Sequence, residues 1–336
     1  MGTNLPGAPR AKDAKPPHAG TEGVLPALTE LIALREQARR LDLAPRGRVL
    51  ATRTGGHVAR FRGRGMEFDE SRVYQPGDDP RNMDWRVTAR AGRAHVKLFR
   101  EERERPVWLL VDQGPSMRFG TRIAFKSVVA ARAAALLGWA AVDRGDRVGG
   151  LVFDETRHLE RRPASRAAGL LPLLDRLASP APAFSADAGL SGQAGGYTSL
   201  GDAAGHLVRL VRPGSLVAVI SDFADILRAQ TRWMTELAAG CEVILLPVHD
   251  SIEFQAPPSG RYPVTDGHRR GLLDLTRSGS REAYEDLFRS RMDALERLAR
   301  RNRAHLLRLT ADIPVGPALA LGLGGRGRLP AAGGFA

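Results

Sequence analysis

Residues 107–117 read VWLLVDQGPSM, and they indicate the fold more directly than any other stretch of the chain. An apolar run ends in Asp112, as expected of a strand that is buried on both faces of a parallel sheet. The turn QGPSM then leads to RIAFKSVVAARAAALLGWAAVDRG, an Ala-rich stretch that predicts a long helix ending at Gly145. A buried strand followed by a helix is the repeating unit of parallel α/β folds.

Further along the chain, the same unit recurs. DRVGGLVFDE, SLVAVISDF and CEVILLPVHD are predicted strands, and amphipathic or Ala-rich stretches between them are predicted helices. We therefore predict an α/β fold over residues 107–312, with a doubly wound, mostly parallel sheet and helices on both of its faces. The crossover connections should be right-handed.

Composition changes mark the other parts of the chain. Residues 1–23 are rich in Pro, Gly, Ala and Lys and are predicted to be disordered. Residues 24–106 are predicted to form a helix and a small β-rich N-terminal unit, because glycines separate short pieces, such as HVARFRG, that alternate apolar and charged residues. The Gly/Leu/Ala-rich residues 313–336 are predicted to be a flexible tail.

Charge and cysteine content limit the class of protein. The net charge is +13, only four of the basic residues are lysines, and Cys241 is the single cysteine. An internal disulfide and a thiolate metal site are thereby excluded. The longest apolar stretch falls short of a membrane span, and we expect a cytoplasmic protein. A surplus of arginine is typical of nucleic-acid-binding proteins, but here the arginines are scattered along the chain and are not gathered into one stripe.

Acids and hydroxyls occupy the predicted strand ends. Asp112 and Asp222 end predicted strands, while Ser116 and Thr198 lie in loops that precede helices. In open parallel sheets such loops meet at the carboxyl edge. Oxygen ligands of this kind suit Mg²⁺, which keeps several waters. The alternative is that the aspartates only cap the following helices through backbone N–H groups.

The motifs VDQGPSM, GYTSLGDA and ISDF resemble the von Willebrand factor A domain. That family has a metal-ion-dependent adhesion site with the pattern Asp-x-Ser-x-Ser, a Thr and an Asp. The resemblance implies Asp112, Ser116, Thr198 and Asp222 as the metal-binding residues. Gly114 replaces the middle serine of the first motif, so we expect Mg²⁺ binding to be weak or absent.

Residues 72–85 carry a second, longer motif, R-x-Y-x-x-G-D-D-x-R-x-x-D-W. It resembles the bacterial "domain of unknown function 58" family, and the two resemblances together cover about residues 50–312. The family implies a MoxR-type AAA+ ATPase as partner, in the assembly or activation of an unidentified client protein. The matching residues are Arg72, Tyr74, Gly77, Asp78, Asp79, Arg81, Asp84, Trp85 and Arg90.

Two interpretations of this motif stay open. In the first, paired charges and a buried Trp85 form a latch that clamps the β-rich unit onto the α/β domain. In the second, the motif is a docking surface for a partner. A catalytic pair at Asp78 and Asp79 is disfavoured, because no His, Lys or Cys in the motif stands by as a partner.

We therefore predict a non-enzymatic scaffold or adaptor with a degenerate metal-ion-dependent adhesion site. The alternative is an Arg-rich nucleic-acid-binding protein or a metal-dependent phosphodiesterase that uses Asp112 and Asp222. The sequence contains no recognised nucleic-acid-binding motif and no P-loop, so nucleic acid is the less favoured partner.

Overall fold

The computed structural model describes residues 23–43, 66–76, 78–101, 104–179, 199–265 and 270–323. The predicted disordered segment, apart from Gly23, and the predicted strand HVARFRG lie outside these residues. The chain divides into two compact units, one formed by Met1–Pro45 with Pro106–Ala336 and the other by Arg46–Arg105. Each is described by itself.

The helices and strands of the described residues are labelled here in chain order. The helices are α1 (Leu28–Ala33), α2 (Arg35–Ala38), α3 (Trp85–Ala91), α4 (Lys126–Asp143), α5 (Leu171–Ala178), α6 (Leu200–Val208), α7 (Arg232–Ala238), α8 (Ser251–Phe254), α9 (Ser278–Arg301) and α10 (Val315–Gly322). The strands are β1 (Met66–Val73), β2 (His95–Glu101), β3 (Pro106–Asp112), β4 (Arg147–Phe153), β5 (His158–Ala164), β6 (Leu216–Ser221), β7 (Glu242–His249), β8 (Arg261–Thr265), β9 (Arg270–Asp274), β10 (His305–Leu306) and β11 (Leu309–Thr310).

The larger unit contains a central sheet with the strand order β10-β7-β6-β3-β4-β5, and β11 also pairs with β7. All pairs are parallel except β4 with β5. The prediction of an α/β fold with a mostly parallel sheet is therefore confirmed. β8 and β9 form a separate antiparallel hairpin.

Two apolar cores cover the two faces of this sheet. Successive residues of β3 alternate between them: Val107 and Val111 share a core with α4, whereas Trp108 and Leu110 share one with α6, α7 and α9. Helix α4 is buried along most of its length and is followed by Gly145 in the left-handed conformation, at a φ of +86°. Glycine tolerates this conformation without strain, which explains why the helix ends there.

The structure corrects the predicted domain limits at both ends of the larger unit. Helices α1 and α2 belong to this unit rather than to the β-rich one, since Leu31 lies in the same core as α4 and its carbonyl accepts a hydrogen bond from Trp139 Nε1 at 3.0 Å. The predicted tail instead forms α10, which buries Val315 and Leu319 in that core. Residues 324–336 lie outside the described part of the chain.

The smaller unit is described over residues 66–76, 78–101 and 104–105. β1 and β2 pair antiparallel, and α3 lies between them in the chain.

Among the described helices of the whole chain, we find none with the length and apolar character that crossing a bilayer requires.

Candidate functional site

Two neighbouring strands end in polar residues at the point where the strand order reverses. β3 ends at Asp112, and β6 ends at Ser221, which Asp222 follows. Since β3 lies between β4 and β6, the chain proceeds outward from it in both directions. Open parallel sheets form their binding crevices at such a switch point. The predicted aspartates thus meet at one edge, with exposed fractions of 8% and 3%.

Asp112 is held by hydrogen bonds from its own loop and from the next strand. Its Oδ1 accepts a bond from the Gly114 backbone N–H at 2.8 Å, and its Oδ2 accepts one from Ser221 Oγ at 2.7 Å. A Cβ added at Gly114 would lie 3.0 Å from Asp112 Oδ1. The glycine that breaks the metal-site pattern is therefore also the residue that lets the loop approach this carboxylate closely.

Asp222 and Ser116, in the facing loop, line the same cleft. The Ser116 side chain acts to lower the pKa of Asp222, and Asp222 Oδ1 accepts a hydrogen bond from the Ala224 N–H at 3.1 Å. The structure thus brings together three of the four predicted metal residues. The fourth, Thr198, lies outside the described residues, next to Ser199. The cleft they border is also lined by Phe153, Glu155, Leu200, Phe223, Asp225, Ile226 and Trp233.

Sequence reasoning missed the residue that dominates the electrostatics of this site, Lys126. It is the first residue of α4, and its side chain is 3% exposed. Its Nζ lies 2.8 Å from Asp222 Oδ2 and 2.5 Å from Glu253 Oε1. A signal was available in the sequence: lysine is rare in this chain, and Lys126 opens a helix that is rich in alanine and other apolar residues.

The buried charges shift one another's pKa values. Burial, and then the neighbouring charge of Asp222, raise the pKa of Asp112 from 3.8 to about 6. Burial also acts to raise the pKa of Asp222, but the Lys126 ammonium prevails and holds it below its usual value. In the same way, burial disfavours the charge on Lys126, yet Asp222 and Glu253 raise its pKa. Asp222 and Lys126 are thereby held charged at neutral pH, whereas burial favours the protonated form of Asp112.

A wider network fixes the loop between β3 and α4. Arg291 Nη2 lies 2.7 Å from Glu253 Oε2, so this glutamate bridges two cations. The fully buried Asp250 accepts hydrogen bonds from the Thr121 backbone N–H at 2.8 Å and from the Thr121 hydroxyl at 2.6 Å. Arg118 pairs with Glu155 on the rim at 2.6 Å. The loop that carries Ser116 is therefore tied to the sheet edge by several separate contacts.

These residues do not fit a resident Mg²⁺ ion. Asp222 Oδ2 already neutralises an ammonium, and both oxygens of Asp112 accept short hydrogen bonds. A divalent ion about 5 Å from an ammonium is repelled by several kcal/mol even at an effective dielectric constant near 20. Within the described residues, no three His, Cys, Asp or Glu side chains are grouped to hold a metal. Weak or absent Mg²⁺ binding stays a prediction.

In the smaller unit, the carboxylates of the Asp-rich motif organise the local backbone. Asp78 pairs with Arg72 at 2.7 Å and also accepts a bond from the Gln75 N–H at 2.9 Å. Asp79 accepts a bond from the Arg81 N–H and caps the 3-10 turn Pro80–Asn82. Tyr74 contributes its backbone N–H to the Ala94 carbonyl, and Gly77 lies outside the described residues.

Asp84 is the buried member of the motif, at 6% exposure. It caps α3 by accepting bonds from the N–H groups of Arg86 and Val87, both at 3.2 Å, and it accepts a third from Ser71 Oγ at 2.8 Å. Two backbone N–H groups and a serine hydroxyl thus bind Asp84, where the latch interpretation expected paired charges.

Trp85 is 70% exposed, so the prediction that its side chain is buried is wrong. It is the first residue of a helix whose seven residues are all at least partly exposed, and the cap residue Asp84 points inward in its place. Around it in the sequence, Arg81, Arg86, Arg90 and Arg93 are exposed as well.

Comparison with known proteins identifies the family. A model of the family described as "Protein of unknown function DUF58" matches residues 70–294. The "Uncharacterized protein Mb1516" of Mycobacterium bovis and the "Uncharacterized protein Rv1480" of Mycobacterium tuberculosis are each 33% identical over 231 residues, which are 68% of this chain and 69% of the relative. A solved structure, "conserved hypothetical protein BatB" from Bacteroides thetaiotaomicron, matches with a TM-score of 0.31 and 19% identity over 59% of this chain and 98% of its own.

Proposed function

The chain belongs to the DUF58 family, and we propose that it is a non-enzymatic scaffold or adaptor that binds a partner protein in the cleft at the carboxyl edge of its sheet. The observation that carries this proposal is that both carboxylates at the switch point are held in place. Asp112 is bound by Gly114 and Ser221, and Asp222 is paired with Lys126. Groups so tied serve as fixed elements of a binding surface rather than as mobile acids and bases.

The character of the cleft supports binding. Its lining combines apolar and aromatic side chains with a few polar groups, as specific binding sites do. General acid–base catalysis needs a group within hydrogen-bond reach of a reacting atom. The carboxylates at the strand ends are instead occupied by hydrogen bonds and by Lys126.

The finer assignments rest on resemblance to known families. We propose that the sheet is a von Willebrand factor A-like domain with a degenerate metal-ion-dependent adhesion site. As partner we propose a MoxR-type AAA+ ATPase, which would act with this chain on a client protein. The parallel sheet with a loop-borne serine beside two strand-end aspartates supports this assignment.

Exposed Trp85 supports a second contact with the partner. A large aromatic side chain that is 70% exposed among exposed arginines is the composition found in binding hot spots. We propose that the exposed surface of α3 around Trp85, with the exposed Arg86 and Arg90, docks an acidic segment of the ATPase. Its arginines give it the opposite charge to such a segment.

Asp225 allows the cleft to be tested without disturbing its buried charges. It lines the cleft and is exposed. We expect Asp225→Ala to weaken binding of a co-encoded MoxR-type ATPase, measured by biolayer interferometry, by at least about tenfold. Asp293→Ala, which removes the same charge from an exposed position on α9, is the matched control. The proposal is contradicted if both variants lose ATPase binding equally, or if neither variant loses it.

The alternative function is nucleic-acid binding or metal-dependent phosphodiester cleavage. A gel shift with single- and double-stranded DNA and RNA over a range of salt concentrations tests it. A salt-sensitive shift that is retained in Asp225→Ala would favour the nucleic-acid function over the cleft-binding one.

A further inference from the structure

We propose that the Lys126 ammonium, which is buried and pairs with Asp222 of the sheet-edge cleft, takes the role that a divalent metal would otherwise fill. The cleft is then complete without metal, and its binding function is independent of Mg²⁺. This deepens the proposed function, since it concerns the same cleft. Its test measures metal binding in the absence of any partner, so each proposal can fail without the other.

The contacts of Lys126 enclose its charge. Besides Asp222 and Glu253, its ammonium lies 5.7 Å from the centre of the Phe119 ring, which faces it as a cation–π partner. Its backbone N–H donates to the Phe119 carbonyl at 2.8 Å. The same loop residue therefore fixes both the start of α4 and the position of the ammonium.

The two carboxylates that contact the ammonium are balanced by described cations, and the buried Asp250, which also interacts with Lys126, is held by Thr121. Asp222 and Glu253 are the carboxylates in contact with Lys126, and Arg291 pairs with the second oxygen of Glu253. Two cations thus balance these two carboxylates. Asp112 adds one charge, which hydrogen bonds from Gly114 and Ser221 stabilise.

Removing the ammonium should reveal the metal site that it replaces. Lys126→Met keeps the length of the side chain but leaves Asp222 and Glu253 without a cation in a buried site. Such uncompensated charges favour uptake of a cation. The freed carboxylates of Asp222 and Glu253 would then offer Mg²⁺ or Mn²⁺ two oxygen ligands, and water would complete the coordination shell.

The experiment compares wild type, Asp222→Asn, Lys126→Met, Lys126→Arg and the double variant Lys126→Met/Asp222→Asn. Mn²⁺ binding is measured by electron paramagnetic resonance, and thermal melting is measured with Mg²⁺ and with EDTA. We expect the melting temperature of the wild type to be the same with Mg²⁺ as with EDTA, and we expect the same of Lys126→Arg. Lys126→Met should bind Mn²⁺ at least about tenfold more tightly than wild type and melt higher with Mg²⁺. The double variant should lose both gains.

Each outcome decides for or against the proposal. Saturable Mn²⁺ binding by the wild type that Asp222→Asn abolishes would overturn it, as would a folded Lys126→Met that gains no metal affinity. Should Lys126→Met fail to fold in EDTA, its refolding on addition of Mg²⁺ supports the proposal. If it also fails to fold with Mg²⁺, the wild type decides: the proposal stands on the absence of Asp222-dependent Mn²⁺ binding and falls on its presence.

Discussion

Replacing Asp112 with asparagine should change stability in a way that depends strongly on pH. Burial and the charge of Asp222 raise the pKa of Asp112 from 3.8 to about 6. At pH values between these two, Asp112 is protonated in the folded chain and ionised in the unfolded chain. The contribution of Asp112 to the free energy of unfolding is therefore fully present below about pH 4 and is lost as the pH rises through about 6.

The size of the effect follows from this shift. About two pKa units, at 1.36 kcal/mol each, correspond to roughly 3 kcal/mol. Asp112→Asn cannot ionise and escapes that loss, although its amide NH₂ can no longer accept one of the two bonds from Gly114 and Ser221, at a cost of about 1–3 kcal/mol. The free energy of unfolding of the variant, relative to wild type, should thus rise by roughly 3 kcal/mol between about pH 4 and pH 7.

Urea unfolding of both proteins at several pH values in this range provides the assay. The comparison with wild type removes the titration of all groups that the two chains share. Asp293→Asn, at an exposed position on α9, is the matched control and should show no comparable pH-dependent difference. A difference between Asp112→Asn and wild type that stays constant with pH would show that Asp112 has no raised pKa, and the description of the cleft would have to change.

Three further predictions concern the other parts of the chain. Trp85→Ala should change the free energy of unfolding by less than about 1 kcal/mol, because most of its side chain is already in water; a urea titration that gives a loss above about 2 kcal/mol would restore the latch interpretation. Asp84→Ala should destabilise the smaller unit by about 1–3 kcal/mol, since a helix cap and a buried bond from Ser71 are lost together, and hydrogen exchange of the α3 amides should speed up. Leu319→Ala should cost about 2–5 kcal/mol because the side chain is fully buried, and a thermal melt unchanged from wild type would show that α10 is not part of the core.

The sequence by itself was enough to predict the α/β class of the larger unit. Apolar runs such as VWLLVD and SLVAVISD have the length of a strand and no polar residues at alternate positions. Neither face of such a strand is suited to contact with water, so these runs predict strands that are buried on both faces. The convergence of Asp112 and Asp222 also followed, because parallel strands place their carboxyl ends on one edge.

Tertiary packing decided the rest, because it joins residues that are distant in the chain. Nothing local indicates that Lys126 meets an aspartate 96 residues away and a glutamate 127 residues away. The burial of α10 depends on the surface of α4, so a Gly/Leu/Ala-rich stretch could not be told from a tail. Trp85 was predicted to be buried because it is the large apolar residue of a charge-rich segment, whereas Asp84 is the buried residue and the Trp85 side chain is 70% exposed. The sheet could be predicted because its apolar pattern is local, and the ion pairs could not because charge partners leave no periodic trace in the sequence.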